Sequence, residues 1–107
     1  MELVTKPVAE EAPMPSNGVQ IEYTVQVWKE GGQYIAHAMP LDVMSAGATP
    51  EHARNALDEA VSVFLKTAAD IGTVEEVLEE AGYVRREGRW VSPSWVSVER
   101  HTLSVVA

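Results

Sequence analysis

The sequence predicts an α+β domain: a three-stranded antiparallel meander plus C-terminal strands, with one main helix and one short helix packed on the sheet. Three observations carry this. Apolar and polar residues alternate from Val19 to Trp28, ahead of a glycine pair and a second run that ends at Pro40; a period of two marks half-buried strands. From Ala53 to Ala68 the apolar spacing changes to three and four, the period of an amphipathic helix. After Tyr83 short Val- and Trp-rich runs return between glycine, serine and proline. The 107 residues, 46% of them hydrophobic, suffice for one core, and a domain of this size buries roughly 65% of its unfolded surface.

Residues 1–18 mix Glu, Pro, Ser, Asn and Gly with few bulky apolar groups and are expected to form a mobile N-terminal arm, because burial cannot offset the entropy of ordering them. The single domain is then 19–107. In the first strand Val19, Ile21, Tyr23, Val25 and Val27 share one face, and Trp28 points to the other. Lys29-Glu30-Gly31-Gly32 supplies a hairpin turn, since glycine accepts the positive φ such turns need. Gln33 to Met39 returns, and Val43 to Gly47 makes a third strand.

Thr49-Pro50-Glu51 reads as a helix start, with the threonine as cap, proline in the first turn and a glutamate at the positive dipole end. Ala53, Ala56, Leu57, Ala60, Val61, Phe64, Leu65 and Ala68 form one stripe over five turns, directed at the sheet. Ile71-Gly72 ends this helix. Thr73-Val-Glu-Glu76 has capping-box spacing and opens a short helix that Gly82 closes. From 83 onward a C-terminal strand extension is expected: two short pieces around Glu87-Gly88, then a β-rich run from Trp95 to Val106. In that run Val96 and Val98 share one parity and Leu103 and Val105 the other, so a bulge or bend is expected near Arg100 to Thr102.

The net charge is −8, which disfavours a phosphate backbone as partner. Residues 1–49 hold two basic against six acidic side chains, residues 50–82 two against eight, and residues 83–107 four against two. The acidic helical middle is suited to a solvated surface or to steering a basic protein partner. There are no cysteines, so thiol catalysis, thiolate metal sites and disulfides are excluded, in keeping with a reducing compartment. With no basic, apolar leader at the N-terminus and no long apolar run, a soluble cytoplasmic protein without membrane attachment is expected.

No residue pattern points to catalysis, a metal or a cofactor. The carboxylates Glu22, Asp42, Asp58 and Asp70 fall on different elements and phases, and His37, His52 and His101 have no ligand spacing. Ser45, Ser92, Ser94 and Ser97 lack a nucleophile elbow, and no helix follows Gly31-Gly32 to make a phosphate cradle. The expectation is a protein that is not an enzyme.

Two ordered motifs, Glu30-Gly31-Gly32-Gln33-Tyr34-Ile35-Ala36 and Ser45-x-Gly47-x-Thr49-x-Glu51-x-Ala53, with Ala56 and Ala60 following, resemble the HicB antitoxin family over roughly residues 21–82. Gly82-Tyr83 and Gly88-Arg89-Trp90 are similar to a stand-alone branch that closes with C-terminal strands. The resemblance implies a reduced, non-catalytic ribonuclease-H-like domain that binds and occludes a small basic RNA-cleaving toxin, HicA. Leu41-Asp42-Val43 stands where many relatives have a Gly-Cys pair. The family's DNA-binding segment has no counterpart after Gly82, where no amphipathic helical pattern follows, so direct DNA binding is not expected. The rival readings are an orphan HicB-like oligomer without a toxin, and a residual nucleic-acid binder.

The candidate partner or self-association residues are the basic-aromatic cluster Arg85, Arg86, Arg89 and Trp90, together with Trp28, Trp95, Val96 and Val98. The arginines are suited to pair with acidic helices of a neighbouring copy. The apolar last run would be a hazardous open edge if left uncovered, and a homo-oligomer, with a dimer favoured, is expected to cover it by pairing or exchange.

Overall fold

The computed structural model describes residues 20–106; the predicted arm at 1–18 lies outside them. The fold is α+β, with two small sheets of three strands and two helices. The larger sheet is the expected meander, β2 (Thr24–Glu30), β3 (Gln33–Met39) and β4 (Val43–Gly47), antiparallel throughout. Gly31 takes φ +63° in the two-residue turn between β2 and β3. The β3–β4 turn holds a cis Met39–Pro40 peptide and Asp42 at φ 63°, a conformation that aspartate tolerates better than most residues.

The second sheet is small. β1 (Gln20–Ile21) runs parallel to β6 (Arg89–Val91), which pairs with β5 (Val84–Arg86). The first predicted strand is therefore divided, and its second part runs on past Trp28 to Glu30. The cause lies at Glu22. Its N–H donates to the Trp90 carbonyl at 3.2 Å, but its own carbonyl accepts from the Tyr83 hydroxyl. A continuing parallel ladder would need that carbonyl for the next strand amide. Pairing with β6 ends there, and two residues later the chain enters β2.

Helix α1 (Pro50–Asp70) begins as expected, with Thr49 accepting from the His52 amide at 3.0 Å. Ala53, Leu57, Val61 and Ala68 are buried along the predicted stripe, whereas Phe64 is 38% exposed. The helix lies mainly over β4 and β3 and only grazes β2. Its close approach to β4 explains the glycine of the Ser45-x-Gly47 motif: a Cβ on Gly47 would stand 2.6 Å from the Ala53 backbone nitrogen. Both helices end in the same way. Gly72 and Gly82 have positive φ, and the backbone closes through Thr73 N–H to Ala68 O at 2.8 Å and Tyr83 N–H to Leu78 O at 3.0 Å, the paired bonds of a Schellman ending.

Helix α2 (Val74–Glu80) has no side-chain cap, which corrects the capping-box expectation. The Thr73 hydroxyl turns back to the Ala68 carbonyl at 3.4 Å instead. Leu78 of α2 reaches the core, which joins Ala36, Ala38, Ala53, Leu57, Val61, Tyr83 and Trp90. The last expectation is also corrected. Residues 92–106 contain no strand: no strand among the described residues pairs with them to supply the hydrogen bonds that a strand requires.

Candidate functional site

Four surfaces hold the residues singled out from the sequence. The first is the β5–β6 hairpin, whose turn residues Glu87 and Gly88 both have positive φ, at 48° and 79°, as a type I′ turn requires. Arg85 meets Glu75 of α2 at 3.5 Å, and its guanidinium lies 5.7 Å from the Trp90 ring centroid. Arg89 meets Glu22 at 3.2 Å. Arg86 makes no ion pair among the described residues and is exposed. Trp90 is only 5% exposed, so its expected place on an open contact surface is corrected: on a three-residue strand between β1 and β5, its indole closes the core and reaches the surface only at the wall of a cleft between α1, α2 and β6. Two of the three arginines thus serve the subunit's own acidic groups, although such exposed pairs are weak.

The second surface is the sheet face opposite α1. Trp28 stands there at 37% exposure, with Ile35, Met44 and Ala46 on the same side of neighbouring strands. Its indole N–H donates to Glu30 at 3.0 Å, and its ring meets His37 edge-on at 6.1 Å between centroids. His37 Nε2 lies 2.6 Å from Asp42 Oδ1. Sequence reasoning missed this pair, although a histidine five residues before an aspartate across a tight turn is a signal that could have found it.

The third surface is the C-terminal tail. Trp95, 44% exposed, belongs to a short stretch, Ser92 to Trp95, that runs beside Met39 and Pro40. Beyond it Val96, Val98, Leu103, Val105 and Val106 are 75–99% exposed.

The fourth surface is helical and acidic. Glu75, Glu76, Glu79 and Glu80 all face outward from the seven-residue α2. Glu76, Glu79 and Glu80 make no ion pair among the described residues. Beside this helix, between α1, α2 and β6, opens a cleft of about 620 Å³. Ile21, Leu65, Val74, Leu78 and Trp90 line it, with Lys66, Glu75 and Arg85 among its polar groups.

The carboxylates tested as metal ligands are dispersed. Glu22 meets Arg89, Asp42 meets His37, Asp58 accepts from the Tyr23 hydroxyl, and Asp70 closes α1. Among the described residues, no group of three His, Asp or Glu side chains is placed to hold a metal ion. The two perturbed phenols have structural tasks. Burial pushes Tyr23 up to about 12, helped by its bond to Asp58 and that carboxylate's charge. Burial also raises Tyr83 to about 12, with the Glu22 charge as the lesser cause. Among the described residues, no helix is long and apolar enough to cross a membrane. No protein-family model, curated protein or solved structure matches this chain.

Proposed function

We propose that this protein is a non-enzymatic, HicB-like protein-binding domain whose acidic helical surface takes up a small basic partner, an RNA-cleaving toxin of HicA type, and acts by covering that partner's working face. The observation that carries the reading is α2: four outward glutamates on seven residues, three of them without an ion pair among the described residues, next to an apolar cleft. Acidic charge of this density speeds encounter with a basic protein. The adjoining cleft offers a pocket for an apolar or aromatic anchor, the arrangement that concentrates binding energy at interfaces. The order of meander, tight Gly47 crossing and capped long helix supports the same reading, since it gives the HicB-like motifs a structural reason.

The test is affinity capture from the source cells in moderate salt, followed by an RNA-cleavage assay of whatever is retained. A stoichiometric small basic protein is expected, with its cleavage of RNA suppressed by one equivalent of this chain and restored when Glu76, Glu79 and Glu80 are changed together to lysine. Recovery of the chain without such a protein, or of a partner whose activity it leaves untouched, would contradict the proposal.

A further inference from the structure

The tail and the larger sheet each lack what the other has. β2 is an outer strand of its sheet: β3 pairs with one side, and no strand among the described residues pairs with the other. The α1 side of this edge is thinly covered. Because α1 lies over β4 and β3, Val25 and Val27 remain only half-buried. An uncovered edge of seven residues with valines at its margin is a template for another strand.

Part of the tail has the side-chain alternation of such a strand. Ser97 Oγ donates to Glu99 at 2.9 Å, and His101 Nε2 lies 2.9 Å from the other oxygen of the same carboxylate. Bonds between side chains two residues apart belong to extended backbone, where alternate residues share a face. Ser97, Glu99 and His101 thus make one polar face, and Val96 and Val98 point the other way. These two bonds hold the Glu99 carboxyl below the usual carboxylate range.

The subunit's own ladder does not carry the tail onto its own β2. Parallel pairing stops at Glu22, whose carbonyl is taken by Tyr83, and the chain leaves beside Met39 and Pro40. Because Met39 is the register partner of Thr24, that exit lies near the start of the open β2 edge. A two-fold axis close to this point would bring each tail to the other subunit's edge with little connecting chain. Such an exchange satisfies both edges at once and closes the assembly.

We infer that the protein forms a symmetric dimer by strand exchange, in which the 95–106 tail of each subunit pairs with the outer edge of β2 (Thr24–Glu30) in the other. Val96 and Val98 of the partner subunit lie on the α1 side and cover Val25 and Val27. The polar tail face lies beside Gln26 and Trp28. This inference does not depend on the toxin-binding proposal, which uses the α2 surface.

The test combines sedimentation with isotope-filtered NMR on the full chain. Sedimentation equilibrium at micromolar concentration is expected to give twice the chain mass, and V96K/V98K to give the mass of one chain with an unchanged circular dichroism spectrum. In an equal mixture of labelled and unlabelled chains, contacts are expected between the β2 residues of one and the tail of the other. A monomer with a free tail, a monomer whose tail contacts its own β2, or a dimer whose intermolecular contacts avoid β2 would each overturn the inference. Were V96K/V98K to disturb the fold, the filtered NMR contacts of the natural chain would still decide.

Discussion

Residues 20–91 and residues 92–106 draw on the same valines, tryptophans and serines, yet the first region is folded into two sheets and the second forms none. The β5–β6 hairpin makes the contrast sharp. Its strands are three residues long, and they hold because Trp90 inserts into the core and β1 supplies a neighbour. Residues 95–106 have comparable β-propensity, but no strand among the described residues pairs with them. Strand propensity is a fitness for a pleated, half-buried place rather than a property of the segment alone, and short strands without a packed face are not stable by themselves. Glu22 marks the boundary: one carbonyl given to a tyrosine instead of an amide ends the ladder that the tail would have continued.

This contrast can be broken most severely in the body. Leu57 is fully buried, so Leu57→Ala is expected to lower unfolding stability by about 2–5 kcal/mol through lost burial and a residual cavity. The same deletion in the tail, Leu103→Ala, is expected to stay within about 0.5 kcal/mol at dilutions where the chain is single. Urea midpoints of the two variants provide the comparison, and an equal loss would mean that the tail is part of the subunit's core.

Gly47→Ala probes the closest passage in the body. The added Cβ would meet the Ala53 nitrogen at 2.6 Å and the His52 carbonyl carbon at 2.8 Å, all of it backbone, so α1 must lift from β4. A loss of about 1–3 kcal/mol is expected, the usual range for overpacking, again read from the urea midpoint.

A smaller effect separates the regions by pH. Tyr23 and Tyr83 titrate near 12 in the folded chain against an ordinary 10.0, and both belong to the body. The folded state favours the neutral phenol, so this contribution is whole below pH 10 and is lost as the pH rises from about 10 through about 12. Chemical denaturation between pH 8 and 11.5 is expected to show stability falling above pH 10. Replacing both tyrosines by phenylalanine should flatten the fall; a slope unchanged in that variant would assign it to other groups.

Much of the body was legible in the sequence because its signals are local. Alternation through Val25 and Val27, the Gly31 turn, the Thr49 cap and the Leu57 stripe each act within a few residues, and each lies where the pattern placed it. What was not legible depended on distant partners. Thr73 sits at the right spacing for a capping box, but its hydroxyl turns back to Ala68 at the end of α1. The first strand breaks because of a hydroxyl sixty-one positions away in the chain. Among the candidate contact residues, Trp28 was placed on the outer face by its parity alone. Trp90 was misassigned because its neighbouring arginines suggested a surface, whereas its parallel pairing with Ile21, which seats it in the core, leaves no trace in local sequence.

The most direct measurement of the central contrast is amide hydrogen exchange of the full chain, read residue by residue at high dilution and again when concentrated. At high dilution the amides of β3 and α1 are expected to be protected while those of 96–106 exchange as in an unfolded peptide; on concentration the tail and the outer edge of β2 are expected to gain protection together. A tail protected at every dilution would contradict the account by showing that it pairs within its own subunit, and a tail unprotected at every concentration would show that it pairs with no second copy.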